Sequence, residues 1–430
     1  MLKNWRALLY LCLVALILAA CSDSEEGTEE EEGDVITLEY WQYAFDAKVD
    51  LMDELIEEFE SENPGIKVEQ TNFPYDQYNE QVAVQVPAGN GPDIINLFYG
   101  WVPMYVDSGY LQPLPQDAFP HEEIEDEFFP LVEATKLDGE YWTIPTAVRT
   151  LALLYNKDLF EEAGLDPDSP PETWDELEEY ALELTKSDDS GRLEQSGLAW
   201  EPAQQGHHWL RDGLTIQNGG QVLSDDRREV VWGEGDAGLE AFKYWLSFPT
   251  DLNTSEVGFF TDDVTAFMTE KAAMNIDGSF RIGTLQKDAP DLNYGVAPMP
   301  GKDEKSTGAS FWTNGITADV EGEKLDAAVK FLEFLTSKEV MEKWLDGTGE
   351  LPAREDVAMQ DKFTEDEIYG PFIESLPFAN AHFFVDETKE RDLVIDAADR
   401  VLLEGMSPEE SFGILVEETQ ALFNEYWSER

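Results

Sequence analysis

The sequence predicts an α/β protein, and two observations lead to this class. Segments rich in β-branched and aromatic residues alternate with segments of helical periodicity, and 42% of the 430 residues are apolar, enough for large cores. The length corresponds to two or three domains of ordinary size. Alternating βα units of this kind form mainly parallel sheets, whose ligands bind beyond the carboxyl ends of the strands.

The strands are predicted from short apolar or alternating runs that end at turn signals. In chain order they cover residues 35–41, 66–68, 93–98, 151–155, 197–200, 229–232, 272–277, 294–297 and 315–318. Of the helices between them, one carries Tyr75, Tyr78 and Val82 on one face, and another begins at the capping box 173–176. The chain from about residue 366 to residue 426 is mostly helical.

The charge balance is strongly acidic. The 28 Lys and Arg residues stand against 92 Asp and Glu residues, which gives a net charge of −64 and a pI of about 4.1. A field of this sign repels phosphate backbones, so we expect no nucleic-acid partner. Only 8 of the acids lie in the run at 23–34. The excess therefore covers the folded body and indicates a halophilic protein, adapted to molar salt, where the Debye length falls to about 3 Å. An ordinary acidic protein is the alternative.

The amino terminus has the pattern of an export signal. A basic start precedes an uncharged apolar stretch over residues 7–20, which is too short for a membrane-spanning helix. The stretch ends in Leu18-Ala19-Ala20-Cys21, which resembles the lipobox of prokaryotic lipoproteins. We therefore expect a signal peptide over 1–20, lipidation of Cys21, and an acidic tether over 21–34 that holds the body off the extracytoplasmic face of the cell membrane. An ordinary signal peptide with an incidental cysteine is the alternative.

Motifs spread over nearly the whole mature chain carry a family resemblance. They are 59–68 (FESENPGIKV), 88–94 (AGNGPDI), 109–114 (GYLQPL), 144–145 (IP), 153–160 (LLYNKDLF), 171–177 (PETWDEL), 273–280 (AMNIDGSF), 294–300 (YGVAPMP) and 351–354 (LPAR). With them the chain resembles the extracellular solute-binding proteins of ATP-driven sugar importers, the family of maltose-binding protein. Most of these motifs also have an ordinary structural interpretation, as strand starts or helix stops.

The resemblance implies a periplasmic-binding-protein-like fold of type II, in which a multi-crossing hinge joins two α/β lobes and the ligand lies in the cleft between them. The implied lobes are 35–148 with 312–352 (lobe 1) and 149–311 with 353–430 (lobe 2). The implied chain crossings lie near 147–150, 311–314 and 352–354.

A sugar site needs aromatic side chains beside polar or charged groups, because sugar rings present apolar faces and hydroxyl edges. Trp41 and Tyr43 follow the first strand, and Tyr99 and Trp101 follow the strand at 93–98, so they lie at strand ends where a cleft is expected. By resemblance, the further candidates are Trp200, Glu201, Phe280, Trp312, Arg354 and Phe384. For each aromatic residue, packing in the core is the alternative.

Arg149 is the clearest departure from the family pattern. The resemblance implies that the side chain at this position points into the cleft, and maltose-binding protein has a carboxylate there. An arginine indicates either a ligand with an acidic group or a local ion pair with Glu140 or Glu201.

Two motifs that point to other chemistry are rejected. Residues 233–238 fit G-x-G-x-x-G, but Glu234 and Asp236 place negative charge where a pyrophosphate would lie. His207 and His208 are interpreted as surface residues, because four His and a single mature Cys supply no zinc cluster. We therefore expect no catalytic residue, no metal and no cofactor.

The resemblance implies a monomeric, lipid-anchored substrate-binding protein, which captures a carbohydrate and delivers it to the permease subunits of an ABC importer. The chain has no G-x-x-x-x-G-K-[ST] loop, so other subunits would hydrolyse ATP. Two alternatives stay open: a secreted carbohydrate-active enzyme that uses the same aromatic cleft, and a sensory lipoprotein that presents ligand to a receptor.

Overall fold

Strands and helices alternate along residues 35–430, the part of the chain that the computed structural model describes. Cys21, the signal stretch and the tether lie outside these residues. The strands are β1 (Ile36–Tyr43), β2 (Ile66–Phe73), β3 (Ile94–Phe98), β4 (Lys136–Leu137), β5 (Glu140–Tyr141), β6 (Thr143–Asn156), β7 (Lys186–Ser187), β8 (Leu193–Leu198), β9 (Ala272–Gly278), β10 (Tyr294–Ala297), β11 (Thr307–Ile316), β12 (Leu351–Pro352) and β13 (Ala379–Asn380).

The helices vary in length from a single turn to six turns. They are α1 (Asp46–Glu62), α2 (Tyr75–Gln85), α3 (Val102–Asp107), α4 (His121–Glu127), α5 (Lys157–Ala163), α6 (Trp174–Leu184), α7 (Thr215–Gln217), α8 (Ala237–Ser247), α9 (Asp263–Met268), α10 (Arg281–Asp288), α11 (Gly322–Leu335), α12 (Lys338–Thr348), α13 (Glu355–Ala358), α14 (Asp361–Thr364), α15 (Gly370–Ile373), α16 (Glu387–Leu402) and α17 (Pro408–Glu429). Within residues 35–430, none combines the length and the apolar character that crossing a membrane requires.

The main sheet contains eleven strands, hydrogen-bonded in the order β2-β1-β3-β11-β6-β9-β8-β7, with β10 and β12 also paired to β6 and β13 to β11. The pairs β1–β2, β1–β3 and β8–β9 are parallel, but β11 runs antiparallel to β3 and β6, and β6 runs antiparallel to β9. The prediction of mainly parallel sheets is therefore wrong. The long strands β6 and β11 pass each other in opposite directions, which the local alternation of strands and helices does not reveal.

Local signals placed most other elements correctly. The strands predicted at 272–277 and 294–297 are confirmed as β9 and β10, and α6 begins behind a complete capping box between Thr173 and Glu176. The strand predicted at 229–232 is wrong. Val230 forms only an isolated bridge there, and its N–H donates to the side chain of Gln420 at 2.7 Å instead of to a strand.

Strand β6 contributes side chains to two hydrophobic cores. Ala152 and Leu154 belong to the first core, whereas Leu151 and Leu153 belong to the second, because successive side chains of a strand point to opposite faces. The first core also includes side chains from α1, α11 and α12, and the second includes side chains from α6 and α8.

The three segments with implied chain crossings lie side by side in the sheet. Arg149 in β6 is opposite Ser310 in β11, and Val148 in β6 is opposite Leu351 in β12. This register places Glu350, the residue before β12, next to Arg149.

Candidate functional site

Four aromatic side chains meet where β1, β3 and β11 lie next to each other. Tyr43 ends β1, Trp101 ends the 3₁₀ turn after β3, Trp312 lies in β11, and Tyr75 begins α2 directly after β2. The rings of Tyr43 and Trp312 stack with their centroids 3.9 Å apart, and Trp101 meets Trp312 edge-on at 5.4 Å. These four residues are called the aromatic wall below.

Tyr75 is the exposed member of the aromatic wall. Its side chain is 46% exposed, while the other three are at most 8% exposed, and its ring centroid lies 6.1 Å from that of Trp312. Sequence reasoning missed Tyr75 as a site residue, because its helical spacing with Tyr78 indicated a core face. The signal that could have found it is its position at the carboxyl end of β2, next to the carboxyl end of β1.

A buried network of charges lies against the wall. Arg149 Nε donates to Glu350 Oε1 at 2.7 Å, and Arg149 Nη2 donates to the same carboxylate and, at 2.9 Å, to the Tyr43 hydroxyl. Lys48 Nζ lies 3.6 Å from Glu350 Oε2, and the Trp344 indole N–H donates to that oxygen at 2.8 Å. Lys48, Arg149 and Glu350 are called the charged trio below.

The partner of Arg149 differs from the two that the sequence suggested. An ion pair with Glu140 or Glu201 was expected, but Arg149 pairs with Glu350. The cause is the register of β12 on β6, which brings Glu350 alongside Arg149. Glu140 instead accepts a hydrogen bond from Gln116 Nε2 at 2.8 Å.

The three charges of the trio shift one another's titration. Burial raises the pKa of Glu350, but Arg149, Lys48 and the indole N–H outweigh burial and hold this pKa at about 2. Burial lowers the pKa of Lys48 to about 8, although Glu350 opposes the shift. Burial also acts to lower the pKa of Arg149, but Glu350 and Tyr43 reverse this, and the pKa is raised. At neutral pH the trio therefore carries two positive charges and one negative charge.

Phe280 lies on the other side of Arg149. The Arg149 guanidinium carbon is 4.6 Å from the centroid of the Phe280 ring, and that of Arg281 is 5.4 Å from it. A closed crevice, too narrow to admit a water molecule, adjoins Arg149 and Phe280 and is also lined by Gln205 and Ser310. It offers polar groups beside an aromatic face, but it is too small for an oligosaccharide.

Three of the predicted aromatic residues are packed in the interior. Trp41 meets Phe73 edge-on at 4.9 Å, while Tyr99 stacks on Phe311 at 4.6 Å and lies 5.8 Å from Phe384. Trp41, Tyr99 and Phe384 are at most 6% exposed. In this conformation their rings are as closed to solvent as those of Trp101 and Trp312, but they pack outside the aromatic wall and support neighbouring side chains.

Trp200 and Glu201 line a separate small cavity of about 10 Å³, which no residue of the wall or the trio lines. Trp200 packs on Trp245 at 4.6 Å, and neither indole N–H has a hydrogen-bond partner among the described residues. Burial raises the pKa of Glu201. Asp263 lines the same cavity, and burial together with the Asp277 charge raises its pKa to about 7.

Arg354 does not join the wall or the trio. Its Nη1 lies 2.7 Å from Glu127 and its Nε 3.3 Å from Asp356, and its guanidinium carbon is 5.6 Å from the ring centroid of Phe128. These contacts tie the end of β12 to α4 and α13.

The two adjacent histidines are buried, so the expectation of surface histidines is wrong. His207 and His208 are 3% and 6% exposed, because the helical turn that carries them packs so closely on Gly308 of β11 that a Cβ there would lie 3.2 Å from His208. His208 Nδ1 lies 3.3 Å from Asp212 Oδ2. Burial, with the nearby His208 and Arg211, lowers the pKa of His207 well below its ordinary value. Residues 35–430 contain no group of three His, Cys, Asp or Glu side chains that could hold a metal.

The rejected glycine-rich motif borders a cavity of about 750 Å³. Glu234 and Asp236 line this cavity together with Asp225 and Glu304, and none of the predicted site residues does. So many carboxylates oppose the binding of a pyrophosphate, which supports the rejection.

The fold is that of the type II periplasmic-binding class, and comparisons with known proteins identify the family. The model of the bacterial extracellular solute-binding protein family matches residues 45–342, so the chain belongs to this family. An ABC transporter solute-binding protein from Thermotoga lettingae, solved with bound α-D-tagatose, is 27% identical with a TM-score of 0.75, covering 90% of this chain and 100% of its own.

Two curated relatives are similar over most of their length. A putative binding protein of Brucella abortus is 27% identical over 384 residues, which cover 88% of each chain. The sn-glycerol-3-phosphate-binding periplasmic protein of Escherichia coli is 28% identical over 338 residues, which cover 74% of each chain. The family consists of extracellular solute-binding proteins, and none of these relatives is named as an enzyme.

The charged trio predicts a large stability effect for Glu350→Gln. This change is expected to lower the free energy of unfolding by about 3–5 kcal/mol, because it leaves two buried cations without their anion. The control is Glu58→Gln, which breaks the partly exposed 2.7 Å pair with Lys343 and should cost less than about 1 kcal/mol. Urea unfolding of both variants measures the difference, and equal losses would contradict the role of the trio.

The same variant has an expected pH dependence. Because the pKa of Glu350 is lowered from its ordinary value of 4.5 to about 2, its charge stabilises the fold above pH 4.5, and this stabilisation is lost as pH falls towards 2. The difference in free energy of unfolding between wild type and Glu350→Gln should therefore become smaller as the pH falls from 4.5 towards 2, and urea unfolding at a series of pH values measures it.

Proposed function

We propose that the protein is the substrate-binding component of an ABC importer, which captures a carbohydrate outside the membrane and delivers it to the permease subunits. The observation that carries this proposal is the aromatic wall beside the charged trio, since stacking surfaces next to charged hydrogen-bonding groups are what a sugar ring requires. The tagatose-bound relative supports a carbohydrate ligand. The protein would act as a monomer and would leave its ligand chemically unchanged.

Each candidate residue has a proposed role. The direct ligand contacts would be Tyr43, Tyr75, Trp101, Arg149, Phe280 and Trp312. Trp41, Tyr99 and Phe384 would hold these side chains in place. Trp200 and Glu201 would supply a second set of contacts, and Arg354 would fix the end of β12.

Ligand entry requires the cleft to open, because the crevice at Arg149 is too narrow to admit even a water molecule. The proposed lobes, 35–148 with 312–352 and 149–311 with 353–430, would separate about the three adjacent strand segments. Burial raises the pKa of Tyr75 of lobe 1 and the charge of Arg391 of lobe 2 opposes this shift, so the two side chains are neighbours that opening would separate. Closure over the ligand would then create the form that the permease recognises.

Tyr75→Ala tests the site without a large effect on folding. The change is expected to weaken carbohydrate binding by about tenfold, because an exposed ring loses its stacking on the ligand but little burial. Calorimetric titration with D-tagatose, maltose and maltotriose measures it. Trp312→Ala should also weaken binding, but with a stability loss of about 3–5 kcal/mol, because that ring is buried.

The matched control is Tyr180→Ala. Tyr180 lies on α6, its hydroxyl donates to the Ser169 carbonyl at 3.1 Å, and it has no contact with the wall. This variant should bind as wild type does. A wild type that binds neither these neutral sugars nor an acidic sugar or polyol phosphate would refute the proposed function, and a Tyr75→Ala variant with unchanged affinity would show that the site lies elsewhere.

We also propose that Cys21 is lipidated and anchors the protein, because two acyl chains suffice for stable membrane attachment. Cys21→Ser is expected to move the protein from the membrane fraction to the medium or periplasm. Cell fractionation and the mass of the mature amino terminus measure this. Wild-type protein whose cysteine carries no diacylglycerol would contradict anchoring.

The acidic surface leads to a prediction about salt. With a net charge of −64, the folded protein is expected to lose stability in dilute buffer and to regain it in molar salt, where self-repulsion is screened. Thermal unfolding across a salt series measures this. A melting temperature that does not depend on salt would refute the halophilic interpretation.

A further inference from the structure

The charged trio has an excess of positive charge in a strongly acidic protein. The chain has 28 basic residues against 92 acidic ones, yet the trio sets two cations against one anion. All three side chains are largely shielded from water: Lys48 is 1% exposed, Glu350 3% and Arg149 13%. A buried net charge is costly unless another group compensates it.

The neighbouring side chains do not supply the missing negative charge. Tyr40, Tyr43 and Tyr75 are the nearest titratable groups, and burial raises the pKa of each, so they are neutral. The carboxylate of Glu387, which acts on Tyr75, already pairs with Arg391 at 2.9 Å. Among the described residues, the trio and these neighbours therefore keep one positive charge that no anion pairs with, although the rings of Tyr43 and Trp312 attract the Lys48 ammonium at 4.8 Å and 5.3 Å.

Arg149, one of the two cations of the trio, lies beside the crevice at Phe280. The Nε and Nη2 atoms of Arg149 bind Glu350 and Tyr43, whereas Nη1 has no acceptor among residues 35–430. The Arg149 side chain lines this closed crevice together with Gln205 and Ser310. A charged donor with one unused N–H thus lies where opening of the cleft would make room for a ligand group.

We propose that the ligand of this site is anionic, a sugar carboxylate or a sugar or polyol phosphate whose negative group binds Arg149 and offsets the charge that Lys48 adds to the trio. This inference rests on the proposed function, because it names the class of ligand for the same site. A neutral sugar would leave the positive charge of the trio buried and uncompensated when the cleft closes. An anionic ligand removes that cost, and the charge of the trio therefore selects for it.

The test is calorimetric titration of the wild-type protein with matched pairs of probes. The pairs are D-galacturonate with D-galactose, D-glucose 6-phosphate with D-glucose, sn-glycerol 3-phosphate with glycerol, and trigalacturonate with maltotriose. The charged member of at least one pair is expected to bind about tenfold more tightly than its neutral partner, or better. Comparison of the uronate and phosphate arms identifies which anion the site takes.

The outcomes separate this inference from the proposed function. Neutral sugars that bind as tightly as their charged partners, or more tightly, would overturn the anionic ligand and leave the carbohydrate-binding function intact. A protein that binds no probe of either kind would overturn both.

A variant connects the preference to the trio. Lys48→Met removes one charge but keeps most of the apolar stem, and it is expected to reduce the preference for the charged probe by about tenfold. The control is Lys324→Met, which removes a lysine that is 47% exposed and pairs with Asp93 at 2.8 Å, away from the wall. If Lys48→Met and Lys324→Met prefer the charged probe over its neutral partner to the same degree, the inference is overturned.

A measurement on the wild type keeps the test valid if Lys48→Met does not fold. Affinity for the charged probe should fall as the salt concentration rises, while affinity for the neutral partner should change little. Parallel salt dependence of the two probes would overturn the inference.

Discussion

The ion pair between Arg149 and Glu350 is the interaction on which the arrangement of the site depends. It joins β6 to the turn before β12, across 201 positions of sequence, and through the Tyr43 hydroxyl it reaches the end of β1. Because both charges are buried, neither can lose its partner without a cost of several kcal/mol. Three distant parts of the chain are therefore held together, and the ring of Tyr43 is oriented for its stack on Trp312.

Sequence could predict those residues of the candidate site whose positions follow from the order and the ends of the strands. Tyr43 and Trp101 were identified because they follow strands whose carboxyl ends meet at one edge, and Arg149 because of its place after a family motif. Glu350 could not be identified in this way, because 92 acids look alike locally and the pairing of β12 with β6 is a tertiary event. Tyr75 was missed since its helical spacing has an equally good interpretation as core packing.

The fold shows the same contrast between features that short sequence patterns predict and features that depend on tertiary packing. The α/β class, the capping box of α6 and the bounds of β9 and β10 follow from patterns a few residues long. The antiparallel course of β6 and β11 does not, because the direction in which two strands pair depends on how the intervening 150 or so residues pack. The burial of His208 is likewise decided by its contacts with β11 and not by its neighbours in sequence.

If the proposed lobes close over an anionic ligand, the position of the trio would connect the charge of the ligand to closure. A ligand shifts a two-state equilibrium only by the difference between its affinities for the two states. At 4 Å an opposite charge contributes about 1 kcal/mol in water and about 4 kcal/mol at an effective dielectric constant of 20, so an anion near Arg149 would interact more strongly once the proposed lobes had closed and excluded water. A difference of about 3 kcal/mol corresponds to a shift of more than a hundredfold towards the closed form. A neutral sugar lacks this term and would have to drive closure through stacking on the aromatic wall alone.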